Sequence, residues 1–362
     1  MFKEQEHLTF YNTVNWGSFY TPKHITNIVF DMLNRNIENI KNYYVVDTSC
    51  GYGNFLLSNE LFNSERIIGA DIDDKALQIA KKNNPVAKYY CHNSLTNFNR
   101  INYGLSEEDK LIIIGNPPYN DKTSIIRNEI KNVDFEINND LKARDLGVSF
   151  LLSYQKLKAD YVCVLHPLSY LLKKTNFDNL RSFKNNYILK DALVISSGEF
   201  SKTSKTTQFP IVIALYEKND WGMKYDFIRA WNFRTVEGKQ FQISLFDFIG
   251  NYISKYPNQQ TVKIEDTVAY FWTMRDINAL KRSKTFIDKE SVNTIRVTKE
   301  NLHYYKYVDI FKKYIPHIPY YFGNSDVFIN NDYFLENQNI FVEPEQEKLD
   351  VYFRELLGEH YV

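Results

Sequence analysis

Residues 43–62 read YYVVDTSCGYGNFLLSNELF. A short apolar run ends in an acid, Asp47. A turn with two glycines follows, Gly51 and Gly53, and an apolar stretch from Phe55 predicts a helix. Strand, acid, glycine turn and helix, in that order, open the binding crevice of many open α/β sheets. Glycine lets the backbone turn sharply and lets a ligand approach the main chain. The spacing is not G-x-G-x-x-G, which argues against a dinucleotide. No Gly-Lys-Ser/Thr follows, which excludes a P-loop.

Working outward, RIIGADID (66–73) is a second strand ending in acids, about 20 residues on. Asp71 at its end can accept hydrogen bonds from both hydroxyls of a ribose, so turn and acid together point to a bound nucleoside. Upstream, residues 24–40 carry Ile25, Ile28, Val29, Met32, Leu33 and Ile37 at helical spacing. Downstream, DKALQIAKKN is helical, AKYYCHNSL a third strand and KLIIIGN a fourth. VSFLLSYQKLK predicts a helix, YVCVLHP a strand, and DALVISS and FPIVIALYEK two more strands. Strands alternating with helices over about 200 residues predict a doubly wound α/β sheet. Beyond that the chain turns aromatic, with few clean helical repeats. A boundary at KNDWG divides it into residues 1–218 and 219–362.

Composition bounds the function. The chain has 362 residues and 44% hydrophobic content, with 44 Lys plus Arg against 44 Asp plus Glu. Such a chain can bury real cores, and any basic surface for nucleic acid must be local. Cys50, Cys91 and Cys163 lack metal-ligand spacing, so no metal is expected, and they suit a reducing compartment. The N-terminus has no apolar leader, and no apolar run reaches the about 18 residues of a membrane span. A cytoplasmic protein is expected.

The stretch KLIIIGNPPYNDKTS (110–124) raises a separate question. An apolar strand stops at a glycine and gives way to Asn116, Pro117, Pro118 and Tyr119. Two prolines can continue neither a central strand nor a helix. A rigid, irregular loop is therefore built at the end of a buried strand. His24 and His166 stand alone and read as structural.

Taken together, these motifs resemble the gamma-class N6-adenine DNA methyltransferases typified by TaqI, over roughly residues 15–218. NWGSFYTP (15–22) looks like the family's N-terminal motif and VVDTSCGYGNFL like its D-P-A-C-G-S-G-x-F-L turn. IIIGNPPY looks like its catalytic motif, and SGEFSKTSKTTQFPIVIALY like the last motif of the catalytic domain. The resemblance implies a Rossmann-like methyltransferase sheet with a smaller C-terminal target-recognition domain, S-adenosylmethionine as cofactor and double-stranded DNA as partner. It implies a cofactor site of Tyr20, Thr21, Pro22, Asp47, Cys50, Gly51, Gly53, Asp71, Ile72, Asn93 and Asn116. Asn93 stands where the family commonly has Asp. Thr48 and Tyr52 also depart from its pattern.

Chemistry gives the loop a purpose under that resemblance. An adenine amino nitrogen is a poor nucleophile because its lone pair is delocalised. Two acceptors aimed at its hydrogens favour the pyramidal form that attacks. The Asn116 side-chain oxygen is one, and the Pro117 carbonyl, fixed by the Pro117–Pro118 pair, is the other. Tyr119 offers a stacking platform for a base turned out of the duplex, and Phe200 the other face. An RNA adenine or protein glutamine methyltransferase would use the same chemistry, and a DNA-binding relative without activity is a third possibility. A separate restriction endonuclease is a possible partner. The loop NDKTSIIRNEIKN, with Lys122, Arg127 and Lys131, reads equally as a backbone contact or a solvated loop.

The neutral total hides an uneven distribution. Residues 220–331 hold 16 Lys/Arg and 12 Asp/Glu, and residues 332–362 hold 2 against 8. Nine basic residues fall in 281–313, with Tyr304, Tyr305 and Tyr307 among them. That mixture predicts a phosphate-contacting face.

Overall fold

Four strands with near-continuous apolar sequence build the centre of the molecule's main sheet: β1 (Tyr44–Asp47), β2 (Ile67–Asp71), β4 (Leu111–Gly115) and β5 (Tyr161–Pro167). Every residue of β4 is buried, as is every residue of β5 after Tyr161. Such strands need cover on both faces, the condition of a parallel sheet between helices. A computed structural model describes residues 21–57, 60–119, 136–200 and 208–362.

With β3 (Lys88–Cys91), β6 (Tyr187–Ser196), β7 (Pro210–Lys218), β8 (Phe233–Thr235) and β9 (Gln240–Phe241), the strand order is β3-β2-β1-β4-β5-β7-β6-β8-β9. β1 pairs in parallel with β2 and β4, β2 with β3, and β4 with β5, while β7 runs antiparallel to β5. The doubly wound, Rossmann-like α/β sheet expected from the sequence is present. The chain leaves β1 toward β2 and β3, then returns to β1's other side as β4. The crevice at such a switch point lies at the carboxyl ends of the strands. Here those ends are Asp47 and Gly115.

Helices cover the sheet: α1 (Lys23–Asn36), α2 (Asp74–Asn83) and α3 (Leu146–Lys156). α1 buries Ile25, Val29, Met32 and Leu33, the stripe read from the sequence. α3 is buried nearly all round. The helix expected after the glycine turn is replaced, among the described residues, by a single 3-10 turn, Asn54–Leu56. The Leu56 carbonyl accepts from Asn84 Nδ2 at 2.7 Å instead of from a continuing helix.

The chain forms two compact units. The first comprises Met1–Ser204, Ile211–Ile228 and Phe233–Gln240, and the second Lys205–Pro210, Arg229–Asn232 and Phe241–Val362. Residues 219–228 and 233–240, placed beyond the boundary from the sequence, thus pack with the sheet.

The second unit holds a ribbon of β10 (Asp247–Phe248) and β14 (Phe328–Ile329). It also holds a small antiparallel sheet of β11 (Ala269–Trp272), β12 (Phe286–Ile287) and β13 (Thr294–Val297). Two clear amphipathic helices were not expected: α5 (Leu302–Tyr314) and α6 (Gln346–Leu357). They share a core of packed rings in which Tyr307 meets Phe311, Phe341, Tyr352 and Phe353. Tyr305 and Tyr307 are fully buried. This corrects the reading of the tyrosines as part of a basic face; they are core residues of α5, and only Tyr304 is half-exposed.

Gly115 ends β4 at φ 145°. A Cβ there would sit 2.7 Å from Asp47 Oδ1. Gly115→Ala should lower the free energy of unfolding by at least about 1–3 kcal/mol, the cost of such backbone strain. A urea midpoint unchanged by the substitution would show that β1 and β4 tolerate a wider spacing.

Candidate active site

The first unit gathers its polar residues at the carboxyl ends of β1, β2 and β4. The turn after β1 is latched to the neighbouring strand. Cys50 N–H donates to the Ala70 carbonyl at 2.9 Å and Gly51 N–H to Asp71 Oδ2 at 2.8 Å. Asp71 Oδ1 accepts from Asp73 N–H at 2.9 Å. Gly51 and Gly53 adopt φ of 52° and 81°, which the tight turn requires. The acid read as a ribose ligand therefore also shapes the glycine turn, and each of its oxygens keeps a second lone pair. Ile72, next in the chain, is 53% exposed, unusual for isoleucine and suited to cover an aromatic ring.

Asp47 is 1% exposed, and its Oδ1 accepts from Ser49 N–H at 3.1 Å. Burial pushes its carboxyl up to about 8, with the nearby Asp71 charge adding to the effect and the Ser49 bond opposing it. Burial also raises Asp71, against its hydrogen bonds to Asp73 and Gly51. Neither acid has an ion-pair partner among the described residues. A carboxyl buried without a cation, as Asp47 is, is costly, and acids perturbed in this way cluster at functional sites.

The NPPY segment leaves β4 beside this pair. Asn116 Nδ2 donates to Thr21 Oγ1 at 3.2 Å, and the Thr21 carbonyl accepts from Asn54 Nδ2 at 3.2 Å. Thr21, the glycine turn and the NPPY loop thus form one hydrogen-bonded chain. Pro22 sits at the start of α1, where its carbonyl accepts from Ile25 N–H and Thr26 N–H. The bond to Thr21 fixes the Asn116 amide so that its oxygen is left over. That oxygen is buried with no hydrogen-bond partner among the described residues, as is Ser49 Oγ. Buried acceptors are nearly always satisfied, so each exception calls for a reason.

Pro117 is buried and Pro118 half-buried. Tyr119 lies against the start of α3, where an added Cβ on Gly147 would stand 2.9 Å from Tyr119 Cβ. Its hydroxyl is held well above the usual phenol range by burial, then by the Asp145 charge. Phe200 is 1% exposed and follows a 3-10 turn, Ser197–Glu199, with its N–H donating to the Ser197 carbonyl at 3.2 Å. Glu199 lies 2.8 Å from His24 Nε2, which ties the Phe200 segment to the residues next to Thr21 and Pro22.

Asn93 is engaged locally. Its Oδ1 accepts from Leu95 N–H at 2.9 Å and its Nδ2 donates to the Glu136 carbonyl at 2.7 Å. His166 is buried between Pro167 and Tyr216, and burial lowers its ring to about 4. Tyr20 and the loop bearing Lys122, Arg127 and Lys131 lie outside the described residues. Among the described residues no cluster of three His, Cys, Asp or Glu is arranged to hold a metal, and no helix is long and apolar enough to cross a membrane. Two contributors escaped the sequence reading. Asn54 gave no signal, whereas Gly115 could have been read from the abrupt end of IIIG before Asn-Pro-Pro.

Residues 7–176 match the sequence profile of the N-6 DNA methylase family. The match spans just under half of the chain. It supports methyltransferase activity of the N6 DNA type and indicates S-adenosylmethionine as the cofactor. The residues present fit that cofactor: Asp47 and Asp71 have no ion-pair partner among the described residues and could offset its positive charge, the glycine turn would leave its main chain open to close approach, and Ile72 is exposed next to Asp71. Among solved structures, the type I restriction-modification methyltransferase subunit from Streptococcus thermophilus is similar at 15% identity and TM-score 0.39, covering 90% of this chain and 58% of that one. A Listeria monocytogenes protein described as a class I S-adenosylmethionine-dependent methyltransferase gives 18% identity and TM-score 0.41, covering 56% of this chain and 62% of its own. TrmN from Thermus thermophilus gives 16% and 0.35, covering 54% and 49%. The chain spans less than two thirds of each of these three. At such scores the likenesses carry no argument about the site. A search of curated proteins found no match.

Asp47 yields a pH test. A carboxyl raised to about 8 in the folded state binds its proton more tightly there than in the unfolded chain. Its contribution to stability is therefore whole at low pH and is lost as pH rises toward 8. His166, lowered by burial, acts in the opposite sense below about 6.5, so the clean window is pH 6.5–8. Melting temperature should fall with pH across it for the protein without cofactor, and Asp47→Asn should flatten the slope. A wild-type slope equal to that of the variant would remove Asp47 as the cause.

Proposed function

We propose that the protein is a site-specific DNA adenine-N6 methyltransferase of the gamma class, acting on adenine turned out of duplex DNA. We place it in a restriction-modification setting with a separate endonuclease as possible partner. One observation carries the reading: Asn116 Oδ1, at the end of β4 and next to the strand that ends in the buried Asp47, is a buried acceptor with no hydrogen-bond partner among the described residues. A buried acceptor that none of the described residues satisfies suits a substrate N–H.

S-adenosylmethionine supplies a methyl carbon already activated by its sulfonium. The chain's residues then position and polarise. Asp71 accepts from the ribose hydroxyls, Ile72 packs on the cofactor's adenine, and Asn93 accepts from that ring's amino group through its remaining lone pair. Asp47 orients the ammonium of the methionine part, which faces the backbone of Cys50, Gly51 and Gly53. Thr21 and Pro22 would cover the cofactor. Asn116 Oδ1 and the Pro117 carbonyl take the two hydrogens of the target amino group, drawing its lone pair out of the ring. Pro118 keeps that carbonyl in place, and Tyr119 and Phe200 bracket the base.

The second unit is the target-recognition part. Lys281, Arg282, Lys284 and Lys289 are exposed around β12, where they can neutralise phosphates. Two other basic residues of this stretch are engaged within the unit. Arg296 pairs with Glu290 at 2.7 Å and Lys312 donates to the Ser283 carbonyl at 2.5 Å.

With labelled S-adenosylmethionine, the methyl group should pass to duplex DNA in preference to structured RNA or a release factor. Asn116→Ala should lower kcat by about 10²–10³-fold, the usual cost of one preorganised electrostatic contact, with cofactor affinity retained. Preferred transfer to RNA or protein, or full activity in the variant, would overturn the assignment. Replacing Lys281, Arg282, Lys284 and Lys289 with Ala should weaken DNA binding and reduce the log–log salt slope. The reduction expected is about 0.9 for each side chain that contacts a phosphate. An unchanged slope would move the DNA-binding face elsewhere.

A further inference from the structure

Beneath the Tyr119 platform lies a buried set of residues that the proposed chemistry does not use. α4 (Ser169–Leu172) carries Tyr170, whose hydroxyl donates to Asp145 Oδ1. The same Asp145 oxygen accepts from Gly147 N–H at 2.9 Å and so caps α3. The Tyr170 ring lies flat on His166, with centroids 5.1 Å apart and planes at 11°. His166 is held in turn on β5 by the Pro167 carbonyl at 3.0 Å and by the Tyr216 hydroxyl of β7 at 2.7 Å. Tyr170, His166 and Tyr216 are 3% exposed or less. A stack anchored in paired strands thus ends at the first turn of α3.

Gly147 is where this stack meets the platform. An added Cβ would lie 2.5 Å from Tyr170 Oη, 2.9 Å from Tyr119 Cβ and 3.3 Å from Asp145 Oδ1. All three neighbours crowd one missing methyl group. Alanine is favoured over glycine inside helices, so local propensity does not explain a glycine here. The close approach of Tyr170 and Tyr119 together does. Tyr119 cannot yield freely, because Pro117 and Pro118 restrict the backbone that precedes it. Any displacement of its Cβ is passed back toward Asn116.

We propose that Gly147, Asp145 and Tyr170 form a positioning set that fixes the Tyr119 ring, and through it the Asn116 acceptor, against the target base. These residues act through Tyr119 and touch no reacting atom. The inference rests on the methyltransferase reading above, since it gives Tyr119 a base to hold. Small displacements of a positioned group are costly in rate. Loss of the set should therefore appear in kcat and in base capture rather than in cofactor binding.

The test uses the full chain and a duplex that the wild-type protein methylates, with 2-aminopurine at the target adenine. Gly147→Ala should lower kcat about ten- to a hundred-fold and reduce the 2-aminopurine fluorescence rise. Its Kd for S-adenosylmethionine should stay within twofold of wild type. The double substitution Gly147→Ala/Tyr170→Phe removes the 2.5 Å clash while leaving the crowding of Tyr119. Its melting temperature should return to that of Tyr170→Phe alone, while its kcat stays below that of Tyr170→Phe. Gly147→Ala with wild-type kcat would overturn the inference. So would a double variant in which kcat returns together with melting temperature, or one in which both remain lost, since either result makes Gly147 a packing residue alone. A wild-type protein that transfers no methyl to DNA would instead fail the methyltransferase reading, before any variant is made, and the inference would fall with it.

Discussion

The parallel pairing of β1 with β4 is the constraint on which the site depends. It sets the Asp47 carboxylate so close to the Cα of Gly115 that no side chain fits between them. One consequence runs along β1, through the turn, to Asp71 on β2. The other runs off β4 into Asn116 and back to Thr21. The end proposed to hold the nucleoside and the end proposed to react are therefore set by one strand spacing. Methyl transfer needs donor and acceptor in line at short range, and a shared strand pair enforces that better than separate loops could.

Electrostatics sharpens the same point. Asp47 is buried and Asp71 half-buried at the ends of neighbouring strands, and desolvation raises both. A sequence selected for stability alone would not leave them so. Local violations of polar pairing tend to mark functional sites. The unpartnered Asn116 oxygen beside them is a violation of the opposite kind: an acceptor waiting for a donor. A cationic cofactor and an amino group answer the two together.

The fold was largely legible because buried parallel strands announce themselves as apolar runs, and three of them, β1, β2 and β4, end at an acid or a glycine. The NPPY loop was legible for a related reason, since proline forbids the alternatives. What stayed hidden depended on side-chain partners far away in sequence. The helix expected after Gly53 gives way because Asn84, 28 residues on, takes the Leu56 carbonyl. Tyr305 and Tyr307 looked like part of a basic surface because lysines flank them. Their burial depends on Phe341, Tyr352 and Phe353 from the chain's end. Asn93 was matched by position, yet its amide is also drawn to Glu136, 43 residues away. The boundary near 218 followed a change in composition, whereas residues 233–235 add a strand beside β6.

The most direct measurement is methylation-sensitive long-read sequencing of DNA from cells expressing the wild-type protein or Asn116→Ala. N6-methyladenine at one short motif with the wild type, and none with the variant, is the result expected. No modified adenine with the wild type, or an unchanged pattern with the variant, would contradict the assignment of the Asn116 acceptor to an adenine amino group in DNA.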